Sequence, residues 1–434
     1  MASGTTSKAT STKPTPSTTK PTMKSIAFGI AVAYGSSYLI GAIQFMQELV
    51  QDFGILQGEV ASFNHEGCTP ITFSSSSKQG QEKTVWLEAC EDVHVHHGFG
   101  LAFAACAKDV ESRKVWYPPA VKLNRDHPML DDWLKDHLVV YDIENEVANA
   151  IELVGFPAEV DRVFHGLDIF EESSLTTNSN KGDEGKKLEL TLFVINHRRS
   201  GSVVEVFEYT KDDRELGSLG SARYVETIEN KLIRTPNDLL AMGRRSFYVT
   251  NDHYYKNGFG RHVEAFGRRS WSDVVYVSPE ETFVAYKGIA SANGIAANQN
   301  RTLVYVSAFH GGSLEILRPG NADSLPASLK RTVQDLNRLK FVESVKLRFT
   351  NDNVFHDTLT DSLLIAGHPK ILKLAEGLEE PEGVPMQSPS KVFAGDQKLG
   401  PTAPIPESLV VLAIAVEGRG SAKGSVHRQD GAGG

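Results

Sequence analysis

Five times along this chain a short polar anchor precedes an alternating apolar strand, in four of them at nearly the same distance. That repetition constrains the fold more than any other feature. The clearest copy runs from Asn237-Asp238 through Leu239-Leu240 and a Gly-Arg-Arg turn into Phe247 to Val249, ending in Asn251-Asp252-His253. Two short strands joined by a tight turn account for it. Asn293-Gly294-Ile295 leads into Thr302 to Ser307, Asp352-Asn353-Val354-Phe355 into Leu363 to Ala366, and Glu91-Asp92-Val93 into Leu101 to Ala104. His165-Gly166-Leu167 leads, after a polar insertion over residues 171–187, into Leu190 to Ile195 and ends at Asn196-His197. Four of the anchors precede their strand by about ten to twelve residues, and the copies recur roughly 55 to 75 residues apart, the scale of one four-stranded propeller blade. The innermost strand of each blade faces the central axis, so one anchor per blade predicts a ring of Glu, Asp, Asn and His side chains.

A chain of 434 residues with a formal net charge of -9 has neither the size limits that demand disulfides nor the basic balance of a nucleic-acid binder. Its three cysteines, Cys68, Cys90 and Cys106, cannot all pair within the chain and lack Cys-x-x-Cys spacing, so they support neither a zinc site nor a disulfide framework. Residues 1–24 are Ser/Thr/Lys/Pro-rich and read as a disordered tail. Residues 25–47 contain no charged side chain and match the length of a membrane-crossing helix, with lysines before and acidic residues after. A retained signal-anchor is the expectation, with the membrane as partner and the rest of the chain lumenal or extracellular. A buried helix diluted by Gly29, Gly35, Ser36, Ser37 and Gly41 is the alternative. Residues 53–390 carry the alternating strands, and 391–434 read as an atypical, disordered tail with one strand-like run at 409–416. Asn300 opens an Asn-x-Thr glycosylation sequon in what reads as a turn.

Each anchor alone has an ordinary explanation. Asn293-Gly294 is a common hairpin dipeptide, Asn237-Asp238 suits an Asx-turn, and a lone histidine such as His165 or His197 is more often a satisfied half-buried ring. A plain turn, however, does not require the same offset from the next strand in copy after copy. If the anchors converge, Glu91, Asp92, Asn237, Asp238, Asn293, Asp352 and Asn353 form a hard-oxygen set, which favours Ca²⁺ over zinc or copper. Calcium acidifies bound water little, so a histidine base is needed beside it, and His165 and His197 are the candidates. A segment from Tyr254 to Trp271, mixing aromatics and arginines, suits a short helix over one mouth of the barrel.

The stretches CEDVHVHHGFGLAFAACA, VFHGLDIF, LFVINH, TPNDLLAMG, FYVTNDHYY, SWSDVVYVSP, SANGIA and NDNVFHD, in this order, together resemble the serum paraoxonase/arylesterase family. The resemblance implies an all-β, six-bladed β-propeller holding two calcium ions and hydrolysing lactones, aryl esters and some organophosphates. It implies that Glu91, Asn237, Asn293, Asp352 and Asn353 hold a catalytic calcium, and that Asp92, Asp238 and the Leu167 carbonyl hold a structural one. It further implies that His165 deprotonates the attacking water with His197 assisting, and that Tyr254, Tyr255 and Phe259 line the substrate pocket on a lid. Cys68 matches the family's N-terminal half-cystine, but no cysteine follows Cys106 to serve as its partner. Two other readings stand beside this one. The first is a calcium-stabilised propeller that binds a hydrophobic ligand without catalysis. The second is a gluconolactonase-type enzyme with one divalent ion, against which the doubled anchors Glu91-Asp92 and Asn237-Asp238 count.

Overall fold

The computed structural model describes residues 23–56, 71–76, 82–86, 88–172, 187–212, 218–320, 332–379 and 391–396. Two compact units divide the chain at Leu49 and Val50. The second unit is built from mainly antiparallel sheets, as the alternating sequence predicts. Four sheets have four or more strands, with six, five, four and four, and a fifth has three. The first strand of each anchor pair forms one edge of its sheet: Glu88–His96, Phe164–Glu171, Pro236–Gly243, Ala292–Ala297 and Thr350–Asp357. These edge strands pack side by side in chain order. The last closes on the first, where Asn353 donates its amide to the Glu91 carbonyl at 2.7 Å and His97 meets Asp357 at 2.9 Å.

The propeller-like arrangement is therefore as expected, but the expected six blades are not. Among the described residues there are four full blades and a three-stranded fifth sheet. Residues after Asp396, including 409–416, lie outside the description. Lys391–Asp396 is itself a strand, paired antiparallel with Ser362–His368.

Packing follows from period-two alternation. In the strand Lys187–Arg198, Leu188, Leu190, Leu192 and Val194 join one apolar cluster, shared with Phe103 and Leu138 of the preceding sheet. Phe193 and Ile195, pointing the other way, join Leu239, Phe247 and Val275 of the following sheet. A sheet buried on both faces needs apolar residues at every position, which is why this segment reads as LTLFVI rather than as a half-polar strand.

A local irregularity does the positioning. The ladder between inner and second strand slips between Phe164 and Leu167, Pro236 and Leu239, Ala292 and Ile295, and Asn351 and Val354, with a comparable slip between Cys90 and Asp92. The residues skipped are the anchors: His165-Gly166, Asn237-Asp238, Asn293-Gly294, Asp352-Asn353 and Glu91. A bulge leaves its residues unpaired and bends the strand, so it re-aims side chains that regular pleating would point into the core. Asn293-Gly294 is thus a bulge within a strand, not a hairpin turn. Its glycine permits close approach, since a Cβ on Gly294 would lie 2.6 Å from Asn353 Cα. Gly166 plays the same part against the Asn237 carbonyl oxygen, also at 2.6 Å.

One expectation is corrected. Cys90 and Cys106 form a disulfide between facing positions of adjacent strands, where cross-strand register brings them together despite the odd cysteine count. Cys68 lies outside the described residues. The N-terminal segment is helical over Met23–Asp52, but among the described residues no helix is long and apolar enough to cross a membrane.

Candidate functional site

The five bulges bring the anchors into a closed ring of contacts. Glu91 Oε1 lies 2.8 Å from His165 Nε2. Gly166 lies against the Asn237 backbone. The Thr250 hydroxyl links the next pair, accepting from the Asp238 amide at 3.0 Å and donating to the Asn293 carbonyl at 2.7 Å. Gly294 lies against Asp352-Asn353, and Asn353 returns to Glu91. Side chains more than two hundred positions apart in sequence therefore share one axis.

The oxygens on this ring are unsatisfied. Glu91 Oε2, Asn237 Oδ1, Asn293 Oδ1 and Asn353 Oδ1 are all buried and receive no hydrogen bond. Buried acceptors are nearly always paired, and four unpaired ones from four strands of the one ring are a set awaiting a cation. Among the described residues no group of three or more His, Cys, Asp or Glu side chains could hold a metal, so this donor set rests on carboxamides and a single carboxylate. Hard, roomy and weakly charged, it fits calcium. Asp352, expected among these ligands, has its Oδ2 at 2.9 Å from His368 Nε2, a partner the sequence did not single out.

Asp92, Asp238 and Leu167 are placed differently. Asp92 accepts the Val93 and Leu167 amides at 2.8 and 2.9 Å, and Asp238 accepts those of Leu239 and Ile295, both at 2.7 Å. Asp168, overlooked in the sequence, repeats the pattern with Ile169 and Ala241, both at 2.7 Å. Each carboxylate thus laces its own inner strand to the next. His94 lies between them, with Nδ1 3.1 Å from Asp168 and Nε2 3.5 Å from Asp92. Burial opposes a charge on His94, but the Asp92 and Asp168 carboxylates overcome it and hold the imidazole well above its usual range. Burial, with Asp92 close by, pushes the Asp238 carboxyl well up. The one available signal was that His94 follows Asp92 by two positions and so shares its face of the strand.

His165 and His197 form a buried pair, Nδ1 to Nε2 at 2.9 Å, on the first two strands of one sheet. His197 Nδ1 meets the Ser202 hydroxyl at 2.8 Å, so a directed chain runs Ser202, His197, His165, Glu91. With Glu91 ionised, the network assigns Nε2–H donors to both rings and leaves both Nδ1 atoms as acceptors. Tyr117 stacks on His165 with centroids 5.4 Å apart. Burial, then the neighbouring His165, holds His197 well below the ordinary imidazole range. Burial raises Glu91 despite its histidine partner. Beneath the pair, buried Arg113 and Asp136 meet at 2.6 Å, and Asp136 also accepts the Phe164 amide at 2.8 Å, fixing the backbone that presents His165.

The expected lid is a helix over Gly258–Phe266. Its Arg261 reaches buried Asp252 at 3.0 Å, and Glu264 accepts the amides of Tyr254 and Tyr255. Tyr254, Tyr255 and Phe259 are exposed, Phe259 the most so at 83%. Asn300 is exposed in a turn, its side-chain oxygen accepting from Thr302. Behind Asp252, His310 packs edge-on to His253 and is pushed down to about 3, by burial first and then by His253 and Arg261. A histidine held neutral in the fold but not in the unfolded chain contributes stability that is intact above about pH 6.5 and lost as pH falls from there towards its folded value. His310→Phe should reduce the acid slope of unfolding free energy between pH 6 and 4 by about 1.4 kcal/mol per pH unit, one proton's worth. Urea titrations across that range check it; an unchanged slope would exclude His310.

A family model described as Arylesterase matches residues 136–392. Serum paraoxonase/arylesterase 2 of Bos taurus is 29% identical over 237 residues, which cover 55% of this chain and 58% of that protein. Serum paraoxonase/lactonase 3 of Homo sapiens is 30% identical over 242 residues, 55% of this chain and 59% of its own. The chain therefore spans somewhat over half the length of the curated relatives it matches.

Proposed function

The chain belongs to the arylesterase family, and on that premise we propose that it hydrolyses carboxylic esters, with lactones and aryl esters as the substrate class and organophosphates as a promiscuous extension. The observation that carries this reading is the set of four buried, unpartnered oxygens beside a buried histidine pair. Glu91, Asn237, Asn293, Asp352 and Asn353 would hold a calcium ion. The chemistry that ion supplies when bound is polarisation of the scissile carbonyl and stabilisation of the developing oxyanion.

The chain's own residues do the rest. With Glu91 given over to the ion, His165 would carry its proton on Nδ1, donate it to His197 Nε2, and take the proton of the attacking water at the freed Nε2. His197, kept neutral by burial, orients His165 and shares the proton through their 2.9 Å contact, and Ser202 fixes the His197 tautomer. Tyr117, stacked on His165, limits the ring's rotation and excludes water from its face. Tyr254, Tyr255 and Phe259 form the apolar rim met by the substrate. The Cys90–Cys106 bridge and the exposed Asn300 sequon support work in an oxidising, secretory or extracellular space.

Turnover of γ- and δ-lactones and of phenyl acetate, with and without EGTA, tests the reading. Hydrolysis of at least one class, lost on chelation and restored by calcium, is the expected outcome. Calcium-dependent folding with no ester cleaved would instead identify a non-catalytic propeller.

A further inference from the structure

Resting on that reading, we infer that the chain holds one tightly bound calcium ion and not two, because His94 occupies the place among Asp92, Asp168 and Asp238 where a second would sit.

The two oxygen sets differ in kind. On the ring at Glu91, Asn237, Asn293 and Asn353, one oxygen of each side chain is buried and unpartnered. Among Asp92, Asp168 and Asp238, every carboxylate oxygen already accepts a backbone amide at 2.7 to 2.9 Å. The imidazole fills the space that remains. Its two nitrogens face Asp168 and Asp92 from 3.1 and 3.5 Å, and its ring is wedged edge-on against Phe355 at 5.9 Å. A cation entering here would have to displace the ring. The doubled anchors that speak for two ions in the sequence thus have different duties: one residue of each pair faces the calcium set, and the other laces neighbouring strands around a histidine.

Native mass spectrometry of the full chain in calcium counts the ions directly, and isothermal titration of the EGTA-stripped protein with calcium alone checks the number. One ion per chain is expected. Two would overturn this inference and leave the proposed hydrolase intact, whereas none would overturn both. His94→Ala removes the ring that stands between the Asp92 and Asp168 carboxylates, so its count should rise from one to two and its melting temperature should rise with added calcium by more than that of the unsubstituted protein. A count still at one in that variant would also overturn the inference. If His94→Ala does not fold in either condition, His94→Ala/Asp168→Asn, which removes a carboxylate with the ring, is measured in its place and judged by the same two outcomes.

Discussion

His165→Gln should lower kcat on lactones and aryl esters by about 10²- to 10⁴-fold while leaving KM and the calcium count near those of the unsubstituted enzyme. Glutamine can still reach Glu91 and His197 with its amide, so the ring of contacts survives, but it cannot take a proton from water. Steady-state kinetics together with a metal count separate the two roles. A kcat within threefold of the original would exclude His165 as the base and direct attention to the His368–Asp352 pair at 2.9 Å. His197→Gln should cost less, because His197 acts on the water only through His165.

The second large effect is on stability. Asp136→Ala should destabilise the fold by about 3–5 kcal/mol, because it strands the Arg113 guanidinium in a site with almost no water. It also frees the Phe164 amide, so activity should fall further than stability alone explains. Replacing the partner as well, in Arg113→Met/Asp136→Ala, should recover much of the loss, since a buried ion pair is costly to break but cheap to replace with apolar volume. Urea midpoints for the two variants decide the matter. A loss under about 1 kcal/mol for the single variant would mean that the pair behaves as a solvent-screened surface bridge.

Much of this was legible in the residues. The common offset of Asn237, Asn293, Asp352 and Glu91 from their following strands located the ring, because equivalent strands must carry equivalent residues at equivalent depth. What the offset concealed was the bulge, since two anchor residues in succession look like a turn until the pairing on either side is known. Asp168, His94, Ser202 and Tyr117 went unread for a related reason. Each occurs alone, with no repeat to mark it, and gains its meaning from a neighbour distant in sequence. The Cys90–Cys106 bridge depends on cross-strand register, which cysteine counting does not reveal. Blade number, finally, is a property of closure, and period alone does not fix how many units complete the circle.

Because the ligand residues sit at skipped positions, the strands on either side zip together without them. Composition at those few places can therefore drift while the scaffold keeps its seams, and a redesigned tunnel with altered metal preference would need new side chains but no new backbone. The converse also holds: damage one residue further along, at Leu239 or Ile295, falls on the masonry and not on the chemistry.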